Sequence, residues 1–101
     1  MMNKRTVILL GKTQENLNKG LEVIDVNGVE FITCTSIEAL SEALKIDGVD
    51  TVITGAGLDL SVRLEAVKII FETSDGISVH MKDFASGPQG FGPFANKVLA
   101  G

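Results

Sequence analysis

The stretch Asp50-Thr51-Val52-Ile53-Thr54-Gly55-Ala56-Gly57-Leu58 constrains the fold of this chain more than any other. It reads as a short β-branched strand that runs into a glycine-rich turn and then opens a helix at Asp59. Everything before and after can be arranged as a neighbour of that strand. Its glycine turn also marks where a ligand has room to approach the backbone.

Upstream, Thr6-Val7-Ile8-Leu9-Leu10 is a continuous apolar run ending at Gly11, the pattern of a strand buried on both faces. Thr13 offers a hydroxyl as N-cap of a first helix, with Gln14 and Glu15 in its first turn. Leu17, Leu21 and Ile24 recur at helical spacing, and Asn27-Gly28 supplies a left-handed stop. Gly20 lies inside this helix and weakens it by roughly 1 kcal/mol relative to Ala. Val29 to Thr35 alternates, with Val29, Phe31 and Thr33 on one face and Glu30, Ile32 and Cys34 on the other, as in a strand nearer an edge. Thr35 and Glu38 have capping-box spacing. Ile37, Leu40, Ala43 and Leu44 form the stripe of a second helix that ends before Asp47-Gly48.

Beyond the glycine turn, Asp59 caps a third helix. Leu60, Leu64, Val67, Ile70 and Phe71 give it the strongest periodicity in the chain. After Thr73-Ser74-Asp75-Gly76 the run Ile77 to Lys82 alternates, placing Ile77, Val79 and Met81 inward and Ser78, His80 and Lys82 on the other face. Such a two-faced strand belongs at a sheet edge. The segment 83–93 is loop-like, and Phe91, Phe94, Ala95, Val98 and Leu99 then fall at helical spacing. Pro93 suits a first turn, so a short final helix is expected over 93–100.

Strand and helix thus alternate, which predicts an α/β three-layer sandwich: a four-stranded parallel sheet with helices on both faces. With right-handed crossovers the expected strand order is 2-1-3-4, and strands one and three are central. At 101 residues the chain makes one domain, 1–101, with one core. Its 45% hydrophobic and 22% charged residues are ordinary for a globular domain. The net charge of −4 and scattered Lys and Arg residues argue against nucleic acid as a partner. No apolar run approaches the ~20 residues that span a bilayer, and the five-residue run after Arg5 is too short for a signal peptide. The lone Cys34 forms no internal disulfide and agrees with a reducing compartment, so the cytoplasm is the expected location.

In sheets of this winding, ligands bind outside the carboxyl ends of the strands where the winding direction reverses. That rim carries Gly11, Lys12 and Thr13 after strand one, and Thr35 and Ser36 after strand two. Strand three brings Gly55, Ala56 and Gly57; strand four carries His80 and brings Lys82 and Asp83. Helix starts, hydroxyls and lysines favour a small anion. Tight turns and helix caps also account for the same residues without any ligand. Gly55-Ala56-Gly57 lacks the third glycine of a dinucleotide fingerprint, and Gly11-Lys12-Thr13 lacks the upstream glycine of a phosphate-binding loop. One His, one Cys and no clustered acids give no metal site, and no cofactor is indicated.

The order of elements resembles the receiver and flavodoxin type of sheet, shortened by one strand-helix unit. That resemblance implies the fold and, for a receiver, a phosphorylated aspartate ending strand three beside an acidic pair after strand one. Here strand three ends Ile53-Thr54-Gly55 and strand one ends Leu10-Gly11-Lys12, without acids; only Lys82 has a counterpart. The hydroxyl-rich loop of a flavodoxin, and a Trp or Tyr to stack on a flavin, are also missing. The Gly-Ala-Gly turn, the strand-four histidine and the Ser-Gly-Pro tail are similar to small stand-alone bacterial proteins of this shape, a likeness that implies no activity.

The expected function is therefore a non-catalytic binding or protein-interaction module. A homodimer is expected because four strands leave two edges and Phe84, Phe91 and Phe94 are hard to bury together in one small core. Two alternatives stand beside it. In one, a small anion or nucleotide binds at the rim, cradled by Lys12, Thr13, Gly55 and Gly57 with the tail as lid. In the other, an enzyme uses His80 as acid-base with Lys82 as electrostatic partner.

Overall fold

β1 (Arg5–Leu10) is the middle of the molecule: Val7, Ile8, Leu9 and Leu10 are completely buried. The computed structural model describes residues 5–24, 28–46, 48–55, 58–73, 76–81 and 97–99. A strand apolar over four successive positions must be covered on both sides, and the chain supplies those covers by crossing over after each strand. β1 is followed by α1 (Gln14–Val23), β2 (Val29–Cys34), α2 (Ile37–Ala43), β3 (Val49–Thr54), α3 (Leu60–Thr73) and β4 (Ser78–Met81). All pairings are parallel and the order is β2-β1-β3-β4, as the alternation of strand and helix predicts.

The period of two along each strand sends side chains alternately to two cores. Ile8, Leu10, Cys34 and Val52 point to one face, where Leu40 and Ala43 of α2 and Ala66 and Ile70 of α3 cover them. Val7, Leu9 and Ile53 point to the other, covered by Leu17 of α1 and by Leu99. Residues 97–99 are helical, within the expected final helix, and Leu99 packs in the same core as Leu17 of α1. The rest of the expected final helix, and the whole of 82–96, lie outside the described residues.

Local signals set most element ends. Thr13 is extended and its Oγ1 accepts from the Asn16 amide at 3.2 Å, a cap worth about 1 kcal/mol. Gly28 and Gly48 take φ of +75° and +91°, the left-handed region that a Cβ disfavours, and each lies just ahead of a strand. The start of α2 departs from the expectation. Its cap is Ser36, whose Oγ accepts from the Ala39 amide at 3.1 Å, and not Thr35 paired with Glu38. β2 holds the chain through Cys34, whose carbonyl accepts from the Gly11 amide at 3.0 Å, so the turn into the helix comes one residue later.

A second departure concerns α3. Of the five residues that give its periodicity, only Ile70 is buried. Leu60, Leu64 and Phe71 are 63%, 60% and 50% exposed, and the core is filled instead from Ala66 and Ile70, with Val62 and Ile69 packed alongside. The helix is apolar on two sides, and the inner side is the one that uses small and β-branched residues.

Candidate functional site

Three strand ends meet at one rim, and the residues that follow them form a cleft of about 240 Å³. Its polar wall is Lys12 after β1, Thr35 and Ser36 after β2, and Asp59 before α3. Its apolar floor is Ile37, Leu58 and Val62. The winding reverses between β1 and β3, so the cleft lies where ligands of such sheets are expected.

Several of the expected ligand residues already have structural work. The Gly11 amide bonds to the Cys34 carbonyl, and the Gly55 amide to the Leu10 carbonyl at 2.8 Å. Both donors thus prolong the sheet ladder rather than face a ligand. Thr13 uses its hydroxyl as the α1 cap. A Cβ built on Gly11 comes within 2.7 Å of Leu17 Cδ2, so this glycine lets α1 pack against the end of β1. Ala56, Gly57 and Lys82 lie outside the described residues.

Lys12 is the expected site residue that faces the cleft. It is exposed, and neither its ammonium nor the Asp59 carboxylate forms an ion pair with a described residue. Thr35, freed from capping by Ser36, adds a hydroxyl. Asp59, Leu58, Ile37 and Val62 were not singled out as site residues from the sequence. Asp59 reads there as a cap, and its carbonyl does accept from the Arg63 amide at 3.0 Å. Its place at the mouth of α3 was the available signal.

His80 is elsewhere. It pairs in register with Ile53, so it projects from the face covered by α1, whereas the cleft opens on the face covered by α2 and α3. Cys34 is buried, and burial pushes its thiol above the ordinary value of 9.0, which disfavours the reactive thiolate. Within the described residues, no group of three or more His, Cys, Asp or Glu side chains is placed to hold a metal. No described helix is long and apolar enough to cross a membrane. The arrangement can therefore attract and orient a charged group, and among the described residues of the cleft no nucleophile stands beside a base.

Comparison of the chain with protein-family models, with curated proteins and with solved structures gave no match.

Proposed function

We propose that this chain is a small non-catalytic binding module, receiver-like in layout and without a phosphoacceptor, that works as a homodimer. The observation that carries the binding reading is the Lys12 ammonium, which pairs with no described residue, on a cleft at the reversal of winding. The ligand class follows from size and charge. At about 240 Å³ the cleft is below the ~300–1,000 Å³ of sites that enclose larger molecules, which favours a compact anion over a whole nucleotide. Asp59 in the same cleft as Lys12 repels a second negative charge, which favours an anion that also carries a hydroxyl or amine donor. Ile37, Leu58 and Val62 offer such a ligand an apolar back.

Thermal-shift measurements with inorganic phosphate, hydroxy acids and phosphosugars test this reading. A compact hydroxylated anion is expected to raise the melting temperature of the wild type and not of Lys12→Ala. Equal shifts in both proteins, or none at millimolar concentration, would remove the cleft as the site.

A further inference from the structure

The cleft at the rim holds one ammonium and one carboxylate, and they are not each other's partner. Lys12 and Asp59 both line it, yet neither forms an ion pair with the other or with any other described residue. Each stands on backbone that is tied in place. Lys12 lies between Gly11, whose amide bonds to the Cys34 carbonyl, and Thr13, whose hydroxyl caps α1. Asp59 leads into α3, and its carbonyl accepts from the Arg63 amide. Ser36 supplies the cap of α2, which leaves the Thr35 hydroxyl on the cleft wall for a ligand. The floor is continuous with the core. Leu58 belongs to the buried cluster beneath α2 and α3, and Ile37 and Val62 pack against that cluster.

Charge and shape together narrow what such a cleft takes. A simple anion seated on Lys12 meets the Asp59 carboxylate, and a simple amine seated on Asp59 meets the Lys12 ammonium. In each case attraction and repulsion oppose one another. A molecule that carries both charges turns the two contacts to the same sign. We infer that the cleft takes a small aliphatic α-amino acid as its zwitterion, with the carboxylate on Lys12 and Thr35, the ammonium on Asp59 and the side chain on Ile37, Leu58 and Val62. This rests on the reading of the cleft as a binding site and narrows its ligand class.

An α-amino acid carries both charges at neutral pH. The side chain is aliphatic for two reasons. An acidic one adds a second negative charge beside Asp59, and a polar one leaves its hydrogen bonds unmade against the floor. The cleft of about 240 Å³ keeps the ligand short.

Calorimetric titration of the full chain at pH 7 compares L-leucine with three relatives. The matching 2-hydroxy acid replaces the ammonium by a hydroxyl, 3-methylbutylamine lacks the carboxylate, and glycine lacks the side chain. L-Leucine is expected to bind about tenfold or more tightly than each, the ratio for one charge-assisted contact or one buried aliphatic group. Lys12→Ala is expected to weaken L-leucine by a similar factor. Asp59→Asn is expected to bring L-leucine down to the level of the hydroxy acid and to leave the hydroxy acid bound at least as well. Asparagine caps a helix as well as aspartate does, so this variant keeps α3. Its melting temperature without ligand checks that, and the wild-type series decides the ligand class whatever the variant does. A hydroxy acid that binds as tightly as L-leucine overturns the zwitterion and keeps the anion cleft. Glycine bound as tightly as L-leucine removes the aliphatic class. A preference for L-leucine that survives Asp59→Asn overturns the assignment of the ammonium to that carboxylate. If none of the four binds at millimolar concentration, the inference falls, and the cleft falls with it only where phosphate and the phosphosugars also fail.

Discussion

Gly11 touches Leu17 so closely that a Cβ on the glycine stands 2.7 Å from Leu17 Cδ2 and 2.9 Å from its Cγ. Leu17 is 2% exposed and sits among Val7, Leu9, Ile53 and Leu99, so moving it aside presses on other core side chains. Gly11→Ala is therefore expected to cost about 1–3 kcal/mol, the range for overpacking a tight core. In a chain of this size, each kcal/mol lowers the melting temperature by roughly 4–8 °C. Adding Leu17→Val should return part of the loss, because the two residues share one contact. Thermal melts of the two single variants and the double check both statements. A Gly11→Ala protein as stable as wild type would return this glycine to the list of ligand residues.

Thr54 offers a change in the opposite direction. It is fully buried at the end of β3, and its Oγ1 has no hydrogen-bond partner among the described residues. An unsatisfied buried hydroxyl costs about 1–3 kcal/mol, and valine has the same branched shape without it. Thr54→Val is expected to stabilise the chain by about 1 kcal/mol, seen as a higher denaturation midpoint at an unchanged slope. A loss of stability would show that the hydroxyl has a partner in solution.

These two residues also show how far the sequence could be read. The apolar runs at Val7 to Leu10 and Val52-Ile53, with an amphipathic pattern after each, are enough to require a doubly covered parallel sheet. The order of strands follows from the handedness of the crossovers. What periodicity could not decide is which side of α3 faces inward. Leu60, Leu64, Val67 and Phe71 make one apolar side and Val62, Ala66, Ile69 and Ile70 another, so periodicity alone leaves two candidates. The sheet lies close beneath α3 and takes small and branched residues there. Site residues were legible by position and not by role. Gly11, Lys12, Thr13 and Gly55 do follow their strands, but backbone pairing and packing, invisible in one sequence, decide that Lys12 faces a cleft while the glycines serve the sheet.

The Cys34 thiol gives a pH dependence with a definite sign. Burial raises its pKa above the ordinary 9.0 in the folded chain, while the unfolded chain keeps the ordinary value. Between those two values the unfolded state binds fewer protons than the folded state, so stability falls as pH rises. The contribution is complete below about pH 9 and is lost through the alkaline range up to the folded pKa. Urea titrations from neutral to alkaline pH should show a steeper decline for wild type than for Cys34→Ala. Parallel curves would mean that the thiol ionises as freely folded as unfolded.

At the opposite end of the sheet from the cleft, Arg5 joins β1 to β3 through side chains. Its Nε lies 3.0 Å from Asp50 Oδ2, and its Nη2 donates to Thr51 Oγ1 at 3.1 Å, while the Thr51 hydroxyl donates to Asp50 Oδ1 at 2.8 Å. The register explains why Asp50 is available. Thr6 and Val7 of β1 face Val49 and Thr51, so Asp50 is skipped by the ladder. Three groups in one network hold the bulge, yet the charged side chains are 40% and 46% exposed, and water screens them. Arg5→Met is therefore expected to cost no more than about 1 kcal/mol at low salt, the range for exposed pairs. The difference from wild type should shrink further in 1 M salt, where the screening length is about 3 Å. Chemical denaturation with urea at both ionic strengths separates the cases. A loss well above 1 kcal/mol that persists in salt would mean that Arg5 acts by fixing the bulge through Thr51, which is itself buried, and not by charge.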